Sequence, residues 1–210
     1  MSFIPDFELG LWNAWIFMLY AIFSDVLPYQ LSGWLIDKEV LKKGAATGPL
    51  NATEKKISNI TSFLHFGLIA FSIFLPLELG TVWFFAGLLI YLWGAIIRTV
   101  AILDFSTTAV DKPVTKGFYR FSRNPIYFGM FLIFVGTGIA CVSWVVLLLT
   151  AVFIILSHLF VVSEERFCLQ KYGNAYREYM NKTPRWMGIP KSRKKALTTN
   201  TAIQNSSSII

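Results

Sequence analysis

Residues 125–162 read PIYFGMFLIFVGTGIACVSWVVLLLTAVFIILSHLFVV, an apolar block with no Asp, Glu, Lys or Arg. A transmembrane helix takes roughly 20 apolar residues. The block is too long for one crossing and suits two, folded back near Cys141-Val142-Ser143-Trp144 in a tight turn. Outward from this helical hairpin lie three more apolar stretches. One runs from about Leu9 to Leu27, with a Pro28 break and a second patch, Leu31 to Ile36, behind it. Another runs from Ile60 to Leu77 and is closed by Pro76. The third runs from Thr81 to about Leu103. A transmembrane β-barrel needs alternating segments of about ten residues; these runs are longer and apolar all round. Backbone groups in lipid must be satisfied within the segment, so helices are expected. The expected fold is all-α: a polytopic membrane bundle of about five transmembrane helices, including the C-terminal hairpin.

Composition agrees. Apolar residues make up 55% and charged residues 15% of the chain, against about a quarter charged in soluble domains. Mean hydropathy is +0.56. Basic residues test the span map independently, because cytoplasmic loops are enriched in Lys and Arg. Lys38, Lys42, Lys43, Lys55 and Lys56 fall between spans one and two. Arg98, Lys112, Lys116, Arg120 and Arg123 fall at the end of span three or before span four. The rest follow span five, from Arg166 to Lys195. Five alternating spans put every basic segment on one side, which predicts the N-terminus outside and the C-terminus in the cytoplasm. The net charge of +7 then reads as topology and contact with anionic lipid, and no nucleic-acid recognition motif accompanies it. The acidic start MSFIPDFE lacks the basic region of a signal peptide, so the first apolar stretch is expected to be retained. Cys141 and Cys168 suggest neither a disulfide framework nor a metal site. The tail, 191–210, is basic and then polar, and is expected to be disordered.

Polar residues gather on the predicted cytoplasmic side in two places. One is the loop 116–129, which contains Tyr119, Arg123, Asn124, Pro125, Tyr127 and Gly129. The other is Glu164-Glu165-Arg166, followed by Tyr172-Gly173-Asn174-Ala175-Tyr176. The hairpin brings Arg123 and the Glu164-Glu165 pair to the same membrane level. Pro125 suits the first turn of a helix, and Asn124 can cap it. The helix N-terminus and Arg123 can hold a carboxylate or phosphate, while the two glutamates can hold an ammonium or sulfonium. One positive and one negative foot suit a zwitterionic ligand. The alternative is that Arg123 pairs with Glu165 as a structural clamp. His158 lies on the same helix face as Glu165 and lines an acceptor pocket or fills the core. Arg98 touches substrate or snorkels to the interface. His65 has no partner in view, and Asp25 marks the inner end of span one. The segment 164–181 reads as a cytoplasmic amphipathic helix on the membrane surface.

The run Gly117-Phe118-Tyr119-Arg120-Phe121-Ser122-Arg123-Asn124-Pro125-Ile126-Tyr127-Phe128-Gly129, the hairpin, Glu164-Glu165 and Tyr172-Gly173-x-x-Tyr176-x-x-Tyr179 together resemble the isoprenylcysteine carboxyl methyltransferase and phospholipid methyltransferase superfamily over about residues 85–190. Prenylcysteine enzymes usually carry His after the motif's Arg; here it is Asn124, as in many bacterial and phospholipid-type members. The resemblance implies a single membrane-embedded methyltransferase domain over residues 1–190. It implies S-adenosylmethionine as methyl donor and a lipophilic acceptor entering sideways from the bilayer, either an isoprenylcysteine-type carboxylate or a phospholipid amine. It points to Arg123 and Glu165 as catalytic residues. Tyr119, Arg123, Asn124, Tyr127, Gly129, Glu164 and Glu165 would hold the cofactor, and Arg98 and His158 would meet substrate. Gly129 has a competing role in helix packing, and Tyr119 one as an interface anchor. In-line alignment supplies most of the acceleration in such a transfer. Two other classes fit less well. Sterol-reductase-like NADPH oxidoreductases share the Tyr-Gly-x-x-Tyr ending but are generally longer. Transporters show repeated halves and broken midplane helices, which this sequence lacks.

Overall fold

The computed structural model describes residues 10–30 and 48–190. Six α-helices follow in order: α1 Trp15–Gln30, α2 Ala52–Ser72, α3 Val82–Ser106, α4 Pro125–Ala140, α5 Trp144–Tyr172 and α6 Asn174–Lys182. A single 3-10 turn, Gly117–Arg120, precedes α4. The described residues contain no strand; one isolated antiparallel bridge joins Asn13 to Pro76. Of these helices, α3 and α5 are long and apolar enough to cross a membrane. Only 33% and 28% of the residues in their most apolar stretches are buried, so neither is the core helix of a soluble fold. On α5, Leu148, Val152, Ile155, Leu159 and Val162 are all exposed. Their spacing of four and three residues makes one apolar stripe down the helix, the pattern of a lipid-facing surface.

The hairpin turns where the sequence places it. Ala140 ends α4, and Ser143 caps α5 by accepting from the Val146 N–H. Val142 sits in the left-handed region at φ 48°, an uncommon setting for a β-branched residue. Three helices differ in extent from the sequence reading. Helix α1 continues past Pro28 to Gln30; the patch from Leu31 to Ile36 and residues 191–210 lie outside the described residues. Helix α2 begins at Ala52 rather than near Ile60, because Asn51 and Glu54 form a reciprocal capping box, and it ends at Ser72. Helix α5 runs on through Glu164 and Glu165 to Tyr172, so no separate helix begins at 164. The break comes at Gly173, whose φ of +56° favours glycine, and only Asn174–Lys182 forms the short last helix.

Helices α3 and α4 pack antiparallel along a glycine seam. Gly87 faces Gly136, and Gly94 faces Gly129. A Cβ at Gly87 would lie 2.4 Å from the Ala140 nitrogen, and one at Gly136 would lie 2.6 Å from the Gly87 carbonyl oxygen. The backbones therefore touch, as small residues allow in membrane bundles. The buried core joins Phe17, Met18 and Ala21 of α1 to Leu68 of α2, Tyr91 of α3, Ile133 and Phe134 of α4, and Val146 and Phe153 of α5. The Tyr91 hydroxyl donates to the Phe17 carbonyl at 2.7 Å, and the Tyr20 hydroxyl to the Ala95 carbonyl at 2.9 Å, tying α1 to α3. At the hairpin-turn end, backbone bonds join Ala14 to Leu75, Leu77 to Trp12 and Glu78 to Ala140.

Candidate functional site

The opposite end of the hairpin, its foot, gathers the charged motif residues. Pro125 opens α4 as its first residue. Asn124 precedes it but makes no side-chain cap. Instead its Nδ2 donates to Glu165 Oε1 at 3.2 Å and to the Arg185 carbonyl at 3.3 Å. The Asn124 side chain is turned to the buried carboxylate, and its oxygen makes no cap to the first turn of α4. Glu165 is 3% exposed and is surrounded by donors. Arg185 reaches Oε2 from Nε and Nη2 at 3.1 and 2.8 Å. Arg123 Nε lies 3.4 Å from Oε1, an ion pair without hydrogen-bond alignment, and this buried N–H has no hydrogen-bond partner among the described residues. These partners hold the buried carboxylate in one orientation.

A strap after α6 closes the foot from one side. The Arg123 N–H donates to the Pro184 carbonyl at 3.0 Å, and the Gly188 N–H to the Phe121 carbonyl at 2.9 Å. Ser122 Oγ donates to the Arg185 carbonyl at 3.1 Å. Trp186 then lays its ring against Phe131 and donates from Nε1 to His158 Nδ1 at 3.0 Å. Arg185 and Trp186 thus join residues far apart in sequence. Arg185, placed after the amphipathic segment, is expected from the sequence to close the cofactor pocket or to bind lipid phosphate. Nothing in the sequence singles out Trp186, a lone indole in a polar segment.

The two glutamates have different surroundings. Glu165 meets Arg123, Asn124 and Arg185. Glu164, one residue earlier and so turned by about 100°, faces the Tyr127 hydroxyl. The other sequence candidates lie nearby but outside this cluster. Gly129 faces α3, where its Cβ would lie 2.8 Å from Arg98 Cβ and from the Gly94 carbonyl oxygen. Tyr119 is buried with Val114, Tyr176 and Tyr179, not at the lipid interface. Its carbonyl accepts from the Tyr179 hydroxyl at 2.7 Å. Burial, then the Tyr179 phenol, holds the Tyr119 phenol well above its ordinary range, so it stays protonated. Burial likewise raises Tyr176 and Tyr179. His158 meets Trp186.

Arg98 is 7% exposed and does not snorkel out. Its Nε donates to Ser24 Oγ at 2.9 Å and its Nη1 to the Ile126 carbonyl at 3.3 Å, while Nη2 pairs with Asp25 Oδ1. Asp25 Oδ2 also holds His65 Nε2 at 2.8 Å. The sequence left His65 without a partner; helix packing supplies one.

Residues 76–175 match the family model described as phospholipid methyltransferase. This is the superfamily that the motifs resemble, and the match implies a methyltransferase working on lipid at a membrane. The matched stretch contains the glycine seam, the hairpin, Arg123, Asn124 and both glutamates, and stops short of Arg185. No curated protein and no solved structure matches the chain.

Proposed function

We propose that this chain transfers a methyl group from S-adenosylmethionine to a lipophilic acceptor, a phospholipid amine or an isoprenylcysteine-type carboxylate, at the foot of the α4–α5 hairpin. The observation that carries the reading is the convergence of Arg123, Asn124, Arg185 and Glu165 there, with Glu164 beside them. The residues present fit the cofactor. Its methionine part carries a carboxylate and an ammonium. The side-chain Nε–H of Arg123, buried and without a hydrogen-bond acceptor, suits the first, helped by the positive N-terminal end of α4, and Glu164 suits the second. When bound, the cofactor supplies a methyl group already activated on a sulfonium, so the protein's task is to align donor and acceptor and exclude water. Glu165 holds Arg123 and Arg185 in place. Trp186 and the strap shield the foot.

The proposed topology has five spans, N-terminus outside and C-terminus cytoplasmic, with α6 lying at the membrane surface. Two supports stand behind it: the one-sided basic residues and the exposed apolar stripes of α3 and α5. The acceptor then approaches from the bilayer and the cofactor from the cytoplasm.

The test is calorimetric titration of S-adenosylhomocysteine into detergent-purified protein, wild type beside Arg123→Ala and Glu165→Gln. The expected result is micromolar binding by the wild type, weakened at least tenfold, or about 1.4 kcal/mol, in both variants. Absence of binding by well-folded wild type refutes the reading and turns the search to nicotinamide nucleotides.

A further inference from the structure

Three ionisable side chains from three helices meet outside the site described above: Asp25 of α1, His65 of α2 and Arg98 of α3. Arg98 and Asp25 already neutralise each other, so charge balance between α1 and α3 is complete without histidine. His65 adds a proton-binding group to a finished ion pair. Ionisable groups placed within apolar helices are functional by default.

The geometry of His65 is that of an oriented base. Its Nε2 lies 2.8 Å from Asp25 Oδ2, which fixes Nε2 as the protonated nitrogen. Nδ1 makes no hydrogen bond among the described residues, so its lone pair is available. A carboxylate behind an imidazole sets the tautomer and stabilises the imidazolium that forms on protonation, the logic of catalytic His–Asp pairs. The His65 ring meets three other helices. From α1 it meets Asp25, and through Asp25 it meets Arg98 of α3. Helices α4 and α5 face it with Phe134 and Phe153, which do not titrate.

The dyad is partly open at the surface of the bundle. The side chains of Asp25 and His65 are 25% and 15% exposed. Their chain neighbours Phe23, Phe63 and Phe66 are strongly exposed apolar groups, as on a bilayer-facing surface. The dyad is also coupled to the hairpin foot, because Arg98 donates to the carbonyl of Ile126, the residue before Tyr127.

We propose that His65, oriented by Asp25, takes the proton from an ammonium-bearing lipid headgroup arriving from the bilayer. This rests on the methyltransferase reading above. The acceptor R–NH3+ gives one proton to His65 Nδ1 and becomes R–NH2. Its nitrogen lone pair forms the bond to the methyl carbon, and the electrons of the breaking carbon–sulfur bond stay on sulfur, leaving a thioether. The imidazolium, held by Asp25, then loses its proton to water. Arg98 is a positioning residue that keeps Asp25 aimed at the imidazole.

The test uses full-length protein in phosphatidylethanolamine-containing mixed micelles, wild type beside His65→Gln and Asp25→Asn, with S-adenosylhomocysteine titrated into each. The expected result is unchanged homocysteine-nucleoside binding, a fall in kcat of about 100-fold or more for His65→Gln, and loss of the acidic limb of the pH–rate profile. Two further readouts separate a base from a packing residue. The defect of His65→Gln shrinks as the amine of the acceptor lipid is made less basic. In nitrogen-labelled wild type, Nδ1 of His65 is the unprotonated nitrogen, and Asp25→Asn relaxes that preference. Wild-type kcat and pH profile in folded His65→Gln overturn the proposal, as does a defect independent of acceptor basicity. Failure of wild type to bind the nucleoside overturns the methyltransferase reading instead, so the two failures are distinguishable.

Discussion

Alanine at Gly136 tests the seam that sets α3 against α4. The added Cβ would stand 2.6 Å from the Gly87 carbonyl oxygen, 2.6 Å from the Tyr91 nitrogen and 2.9 Å from Tyr91 Cα. All three are main-chain or Cα atoms, so no side chain can swing away. Reaching ordinary contact requires the helices to part by about 1 Å, and such a gap forfeits a sizeable share of each dispersion contact along the seam. The upper part of the overpacking range, about 3 kcal/mol, therefore applies. Alanine returns about 1 kcal/mol of helix propensity over glycine, leaving a net loss of about 2 kcal/mol. Gly67 is the control: it is in the middle of α2, and a Cβ there meets nothing within 4 Å. Gly67→Ala is expected to be neutral or to stabilise by up to about 1 kcal/mol. Reversible unfolding of the detergent-solubilised protein in rising SDS measures both. If Gly136→Ala proves as stable as wild type, the close-contact argument is wrong. If the two alanines cost the same, the effect lies in helix propensity and not in the seam. Gly87→Ala combined with Gly136→Ala should cost less than the separate losses, because one displacement relieves both.

Other expectations follow from single residues. Val142→Gly relieves a left-handed backbone worth about 1–2 kcal/mol, offset by about 0.4–1 kcal/mol of added unfolded-state freedom; thermal unfolding should show a small gain. Glu165→Gln removes the shared counter-ion of Arg123 and Arg185 and should cost about 3 kcal/mol, the low end for a broken buried pair because Arg185 is 28% exposed; Glu164→Gln, which loses no cation, should destabilise less. The Arg166 fork onto Glu54, together with the Asn51 N–H, holds the Glu54 carboxyl below its ordinary value of 4.5. Its contribution is present above that ordinary value and lost as pH falls through the lower folded one. The melting-temperature gap between wild type and Glu54→Gln should therefore be flat near neutrality and close in acid.

The sequence made the hairpin and its foot legible because both are local in cause. An uninterrupted apolar block has one place to turn, and the turn puts Arg123 level with Glu165 whatever the rest of the bundle does. Contacts that depend on helix rotation were hidden. Whether Asp25 and His65 face each other depends on how α1 and α2 roll against α3. The continuity of α5 through Glu165 is not legible locally, because charged residues extend a helix as readily as they flank one, and it is Gly173 that stops this one. The early start of α2 rests on the Asn51–Glu54 capping box, which lies ahead of the apolar run that marks the span. Asn124 turns its side chain to the buried carboxylate and makes no cap.

Helix α5 also acts as a depth gauge. From Trp144 to Glu165 it rises 1.5 Å per residue, about 32 Å in all, close to the thickness of a bilayer's hydrocarbon layer, about 30 Å. On the proposed topology the exposed indole of Trp144 lies at one surface, and the charged foot then falls at headgroup height on the other. A lipid can then bring its headgroup to the level of the foot while its tails stay anchored. Reconstitution into bilayers of graded acyl length should give an activity optimum where the lipid thickness equals this span, and thicker membranes should draw the foot below the headgroups it is built to meet.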